Sequence, residues 1–447
     1  MSSSCAGYSG TCLAALALVA ACGLTAPAGG DAARPSNEQS IWLRLGERTE
    51  IDRLVTPPVL ALALEEHPID QFERPVLATL LQYHAERVAE ALARFDERIG
   101  CTKDDGQPWW SATVSDPARR TQARLALDRL HRDQDEAFDG LVREVAIFLG
   151  WAPDAREASD LRQRLTIRLG QERARGVAPT SRCTVGESVC IGDLFEDFVR
   201  TTSRMGSEEV ALRLDTLVPS VRARLVQQDE RLAVAFDRLR QAQRAFLRSR
   251  LDKHGNDQWA RERAWNDRWR AIAAIAAVQH ESADLVSIAC QAATGDPSVA
   301  EQWRHTFVAT AHPAVVAATS SVDAVAGWIE SMQAIPADAR DARQSILRRF
   351  ARERAAIEWR LAGDRVRWMA STGSAADAAE LRDELAPLQR RLNQIEASTV
   401  RRLLDLVQGP ELRTAGASFL EGVLGSSAEA VVPPLMMAGS DGSDAVR

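Results

Sequence analysis

Residues 218–246 read VPSVRARLVQQDERLAVAFDRLRQAQRAF. Counting alternately three and four from Val218 gives Val221, Leu225, Gln228, Leu232, Ala235, Leu239, Ala242 and Phe246. All of these positions except Gln228 are apolar, and their spacing is that of a helix packed lengthwise on a partner helix. The periodicity predicts one helix over 207–252, whose part beyond Pro219, about thirty residues, makes a rod of about 45 Å. Pro219, early in the seam, predicts a kink or a true helix start. Gln228, the polar interruption, is read as a residue that fixes helix register.

Working outward, the same period predicts helices near 37–54, 74–99, 117–149, 154–174, 191–202, 256–293, 298–311, 313–333, 337–371 and 375–408. Ser115-Asp116-Pro117, Asp154 and Ser207 supply capping side chains or a first-turn proline at three starts. Gly100, Gly150 and Gly295 fall where the periodic pattern stops, as helix-terminating glycines do. Ala, Leu, Arg, Glu and Gln dominate, and alternating strand-like runs are few. The expected fold is all-α, an elongated helical bundle of long antiparallel helices and hairpins. Pro75 and Pro219 are followed at equal offsets by ERVAEALARF and ERLAVAFDRL. Duplicated hairpins explain this match, and shared heptad periodicity explains it nearly as well.

A hydrophobic fraction of 45% and a charged fraction of 26% over 447 residues describe a globular chain with a substantial core. The formal charge of −7 argues against a general polyanion binder. Lys103 and Lys253 are the only lysines, so the abundance of arginine reflects a GC-rich coding preference more than a partner. No nucleic-acid partner is expected.

The amino terminus carries an address. An apolar run from Leu13 to Ala21 closes on Val19-Ala20-Ala21-Cys22. It is too short to span a bilayer and has the length of a signal-peptide core. It resembles the lipobox of bacterial lipoprotein precursors, although no Lys or Arg precedes Arg34 to supply the usual positive start. The resemblance implies a signal peptide over 1–21, acylation of Cys22, and a membrane anchor on the periplasmic side. Absence of Asp at position 23 favours the outer membrane over the inner. Residues 22–40 have the composition of a flexible tether. Beyond them come a helical region over 41–175, a cysteine-containing loop over 176–190, a helical bundle region over 191–425 and a tail over 426–447. Export also bears on the cysteines. Cys5 and Cys12 leave with the signal and Cys22 is acylated, so Cys101, Cys183, Cys190 and Cys290 remain to form disulfides in an oxidising compartment. The short TVGESV spacer favours Cys183–Cys190, with Cys101–Cys290 as the remainder; buried free thiols are the alternative.

Chemical motifs are sparse. Trp109-Trp110, close to Asp104-Asp105 in a loop, is a candidate binding surface for a sugar ring or a partner, or a plug that fixes the loop to the bundle. Trp259, Trp265 and Trp269 stand among Arg261, Arg263, Arg268 and Arg270, which is read as tryptophan on the core face with arginine on the solvated face. Helix 337–371 sets nine arginines against five acids, read as a solvated face. His305 and His312 find no third ligand by spacing, and neither does His131 with Asp135. HExxH, GxSxG, GxGxxG and P-loop patterns do not occur, so no catalytic residue, cofactor or metal is nominated. The expected role is a non-catalytic helical binding, scaffold or chaperone-like protein of the cell envelope, with an envelope protein or peptide as partner. An envelope hydrolase or metalloenzyme, and a cytosolic helical adaptor, are the rivals.

Overall fold

The computed structural model describes residues 42, 45, 48–100, 117–176, 189–205, 208–251, 258–372 and 378–419, with short gaps inside these ranges. Among the described residues the regular structure is helical and no strand occurs. The fold is all-α, as the sequence predicts. The helices are α1 (Pro57–Ala63), α2 (Arg74–Ile99), α3 (Pro117–Phe148), α4 (Arg156–Gly176), α5 (Ile191–Met205) and α6 (Glu208–Ser249). They continue with α7 (Gln258–Thr294), α8 (Pro297–Ala311), α9 (Ser321–Ser331), α10 (Arg340–Thr372) and α11 (Ala378–Asp405).

The chain forms two compact units that do not follow sequence order. The first comprises residues 1–173 and 229–271, and the second residues 174–228 and 272–447. Helix α6 therefore changes unit between Gln228 and Asp229, where the apolar seam is interrupted. Val221 and Leu225 before this point, and Leu232, Ala235, Leu239 and Ala242 after it, are all buried.

In the first unit α2 packs along α3. One core joins Val55, Leu60, Leu77, Leu81, Phe138, Val145, Leu161 and Leu165, and a second joins Ile51, Val88, Phe95, Leu127, Leu130 and Leu251. A close approach of α4 to α6 depends on Gly170. A Cβ built there would lie 2.1 Å from Cδ1 of the buried Phe236. Gly170→Ala is therefore expected to lower unfolding free energy by about 1–3 kcal/mol through overpacking, although alanine is the better helix former. A denaturation series should show the loss relieved when Phe236→Leu is added, and additive effects of the two changes would exclude the contact as its cause.

In the second unit α10 packs on α11 and α8, α9 packs on α11, and α5 packs on α8. Phe195, Phe198, Leu214, Val286, Trp303 and Phe307 belong to its principal core. Val322, Val325, Phe350, Leu403 and Val407 form another.

The stops are the expected ones. Gly100, Gly150 and Gly295 have φ of 67°, 76° and 68°, the left-handed region that glycine enters without a Cβ penalty. Pro219 lies inside α6 and starts no helix. Three further expectations need revision. The helix expected over 37–54 does not extend to its end, because residues 51–56 are irregular and α1 follows after Thr56. The helix expected over 313–333 begins eight residues late, where Ser320 Oγ accepts from Asp323 N at 3.1 Å and caps α9. Finally, α10 is not wholly a solvated charged face, since Glu358 and Arg354 are buried.

Candidate functional site

The irregular segment 50–55 is the point around which the polar interior of the first unit is organised. Glu50, Ile51, Asp52, Arg53, Leu54 and Val55 are all buried. Without helix or sheet partners, their backbone groups require side chains. Gln134 on α3 donates from Nε2 to Glu50 O at 3.0 Å and accepts from Asp52 N at 2.8 Å. His84 on α2 lies 3.2 Å from both Val55 N, through Nε2, and Ala137 O, through Nδ1. A neutral ring protonated on Nδ1 donates to Ala137 O and accepts from Val55 N; Nε2 also lies 3.0 Å from Arg53 O, so protonating it would exchange the bond from Val55 for one to Arg53 O. Burial pushes His84 down to about 4, against the opposing effect of the two backbone carbonyls.

Next to this clamp, Arg53, Arg240 and Arg244 interlock with Asp52, Asp135 and Asp237. Arg244 grips Asp52 through Nε at 2.5 Å and a terminal nitrogen at 2.8 Å, and reaches Asp135 at 2.6 Å. Arg240 joins Asp135 at 3.0 Å to Asp237 at 3.2 Å. Arg53 joins Asp237 at 3.0 Å to Asp135 at 3.4 Å, and its guanidinium lies 4.3 Å from the Phe138 ring centre. Three positive and three negative groups cancel within one network. Burial alone would raise the Asp135 carboxyl, but the hydrogen bonds and charge of Arg244 hold it below its ordinary value. His131 is buried beside these charges with neither ring nitrogen hydrogen-bonded, and burial pushes it down to about 4.

The second unit has its own polar centre. Glu358 is fully buried; its Oε1 accepts from Arg354 Nε at 2.7 Å, and His305 Nδ1 lies 3.2 Å from Oε2. An imidazole on a buried carboxylate is half of a general-base arrangement. Here Arg354 takes the other oxygen and ties the group into the core. Nearby, Glu396 is raised by burial and accepts from Ser321 Oγ at 3.3 Å. On the neighbouring turn Trp359 stacks on His280 at 4.1 Å, and Phe307 packs edge-on to both and to His312. Gly363 makes room for His280, because a Cβ there would lie 2.9 Å from Nε2. Burial pushes His280 down to about 4 and His312 to about 3. His305 and His312 thus serve different environments. Among the described residues no group of three or more His, Cys, Asp or Glu side chains is arranged to hold a metal.

Of the residues singled out from sequence, Cys22, Cys101, Cys183, Trp109 and Trp110 lie outside the described residues. Cys190 is half-buried, and its carbonyl accepts the first hydrogen bond of α5, from Leu194 N at 3.0 Å. Cys290 is a free thiol in the principal core of the second unit, pushed up to about 12 by burial. It packs as a small apolar residue. Trp259 is 76% exposed, against the core-face reading, whereas Trp265 and Trp269 are half-buried. No helix among the described residues is long and apolar enough to cross a membrane. No protein-family model, curated protein or solved structure matches the chain.

Proposed function

We propose that this chain is a cell-envelope lipoprotein, anchored through acylated Cys22, whose helical body acts as a non-catalytic binding or scaffold protein. The observation that carries the anchor is the apolar run Leu13 to Ala21 ending in Val19-Ala20-Ala21-Cys22. The non-catalytic part is supported by how the interior charges are used. Asp52, Asp135, Asp237 and Glu358 are each matched to arginines, and His84 and Gln134 serve backbone groups. Such groups hold a fold in place. The partner class that fits is an envelope protein or peptide, presented to a body held off the membrane by residues 22–40.

The test is intact mass and membrane partition of the chain expressed from its own start in a lipoprotein-processing bacterium, beside Cys22→Ser. Loss of residues 1–21 with added acyl mass, abolished by the substitution, is the expected result. Two or three acyl chains give stable anchoring, since each buried CH₂ contributes about 0.8 kcal/mol. A full-length, unmodified and soluble wild-type chain would overturn the proposal.

A further inference from the structure

The turn that joins α3 to α4 borders a cleft in the first unit. Gly150 ends α3 with φ 76°, and Trp151 N then donates back to Ala146 O at 2.8 Å. The Trp151 ring packs edge-on to His67, with ring centres 4.6 Å apart, and lies against the core that joins Val142, Val145, Leu161 and Leu165. Ala155 N closes the next turn on Ala152 O at 2.9 Å. This path fixes Pro153 and Asp154 beside α3 and leaves a cleft of about 230 Å³ between α3 and the start of α4. Val142 and Ala158, both buried, contribute aliphatic surface to its lining.

Four ionic side chains line this one cleft: Asp139 and Arg143 from α3, Asp154 from the turn and Arg162 from α4. Asp139 and Arg162 satisfy each other at 2.8 Å. Arg143 and Asp154 are opposite in sign, yet among the described residues neither makes a hydrogen bond or an ion pair, with each other or with any third group. Asp154, offered by the sequence as a cap for α4, is thus left free. The four charges sum to zero, so an entering anion meets two carboxylates and an entering cation two guanidiniums. A molecule with one charge of each sign instead finds a counterpart for both. One exposed ion pair contributes little by itself, so recognition requires both charges together with burial of the ligand's carbon atoms on the aliphatic lining. The volume lies below the about 300–1,000 Å³ typical of drug-sized sites, which suits a ligand of amino-acid size.

We infer that this cleft binds a small zwitterion of the amino-acid class, with its carboxylate on the Arg143 guanidinium, its ammonium on the Asp154 carboxylate and its carbon chain over Val142 and Ala158. A guanidinium fork presents paired donors that match the two oxygens of a carboxylate. The site does not depend on the anchor at Cys22.

The test is calorimetric titration of full-length Cys22→Ser protein, in which no acyl chain contributes. Valine carries its two charges on one carbon, and its isomer 5-aminovalerate carries them at the ends of the chain. Saturable binding of at least one is expected, and the tighter of the two reports how far apart Arg143 and Asp154 hold their charges. Valerate and pentylamine, with one charge each, should bind about tenfold more weakly or worse than the better zwitterion. Arg143→Gln and Asp154→Asn, both at exposed positions, should each weaken that zwitterion by about the same factor. Arg156→Gln, which removes an exposed arginine outside the cleft lining, should leave its binding unchanged. No saturable binding of either zwitterion by the Cys22→Ser protein overturns the proposal without reference to the other variants. Equal binding of valerate or pentylamine, or equal binding by a folded Arg143→Gln protein judged by circular dichroism, also overturns it.

Discussion

Arg244→Met should lower the unfolding free energy by about 3–5 kcal/mol, the range found when one partner of a buried ion pair is removed. The side chain is nearly buried, at 11% exposure, and Asp52, at 6%, receives two of its hydrogen bonds. Methionine keeps much of the volume, so the loss arises from a buried carboxylate deprived of the guanidinium that donates two hydrogen bonds to it. Arg240→Met should cost less, because Asp135 retains Arg244 and Asp237 retains Arg53. Arg244→Lys should recover only part of the loss, since an ammonium cannot span Asp52 and Asp135 as the guanidinium does. Urea denaturation followed by circular dichroism measures all three. If Arg244→Met falls within about 1 kcal/mol of wild type, the network is not a stability element, because surface pairs give values of that size.

Acidification from pH 7 to pH 4 should destabilise the protein through its buried histidines. His84, His131 and His280 are held near 4 and His312 near 3 in the folded chain, against about 6.5 when unfolded. Between those values the unfolded chain binds more protons than the folded one, so stability rises with pH in that window. The contribution of each histidine is complete above about pH 6.5, declines as pH falls, and is lost once the folded value is passed. For the deeply buried His84 it is about 3 kcal/mol, at about 1.36 kcal/mol per pKa unit; the half-buried His280 contributes less. The depressed Asp135 carboxyl acts in a separate window, below the ordinary carboxylate range. Unfolding free energies measured at half-unit intervals should slope downward from pH 6.5 to pH 4. His84→Gln, whose amide can serve Val55 N and Ala137 O without titrating, should flatten that slope. A profile level across this window would mean that the rings reach water when charged.

Periodicity announced most of the helices because burial of one face is a local, repeating demand. The seam through Val221, Leu225, Leu232, Leu239 and Ala242 is buried as expected, and the three terminal glycines stand in left-handed geometry. Gln228 breaks the seam where α6 passes from one compact unit to the other, a meaning that the sequence pattern leaves open. The segment 50–55 was illegible for a different reason. Its composition suits a helix, and its actual path is set by His84 and Gln134, which lie 29 to 84 residues away in sequence. The Arg and Asp network was equally hidden, since its pairs join positions as far as 192 residues apart. One local signal did exist. Leu127, His131, Gln134, Phe138, Leu141 and Val145 follow the spacing of a packed seam on α3, and all six are buried. Two polar residues on that stripe mark the site where the polar interior gathers. The acylation expectation rests on a segment with no helical period, and there only the motif speaks.

The way the two units share the chain governs how the protein can be made and divided. Residues 174–228 of the second unit are synthesised before residues 229–271 complete the first. No single cut separates the units, and a fragment ending near residue 173 lacks Asp237, Arg240 and Arg244, leaving Asp52, Arg53 and Asp135 without their α6 partners. The ribosome must therefore deliver the chain through residue 271 before the first unit can close, and the two bodies finish in overlapping order, not in succession.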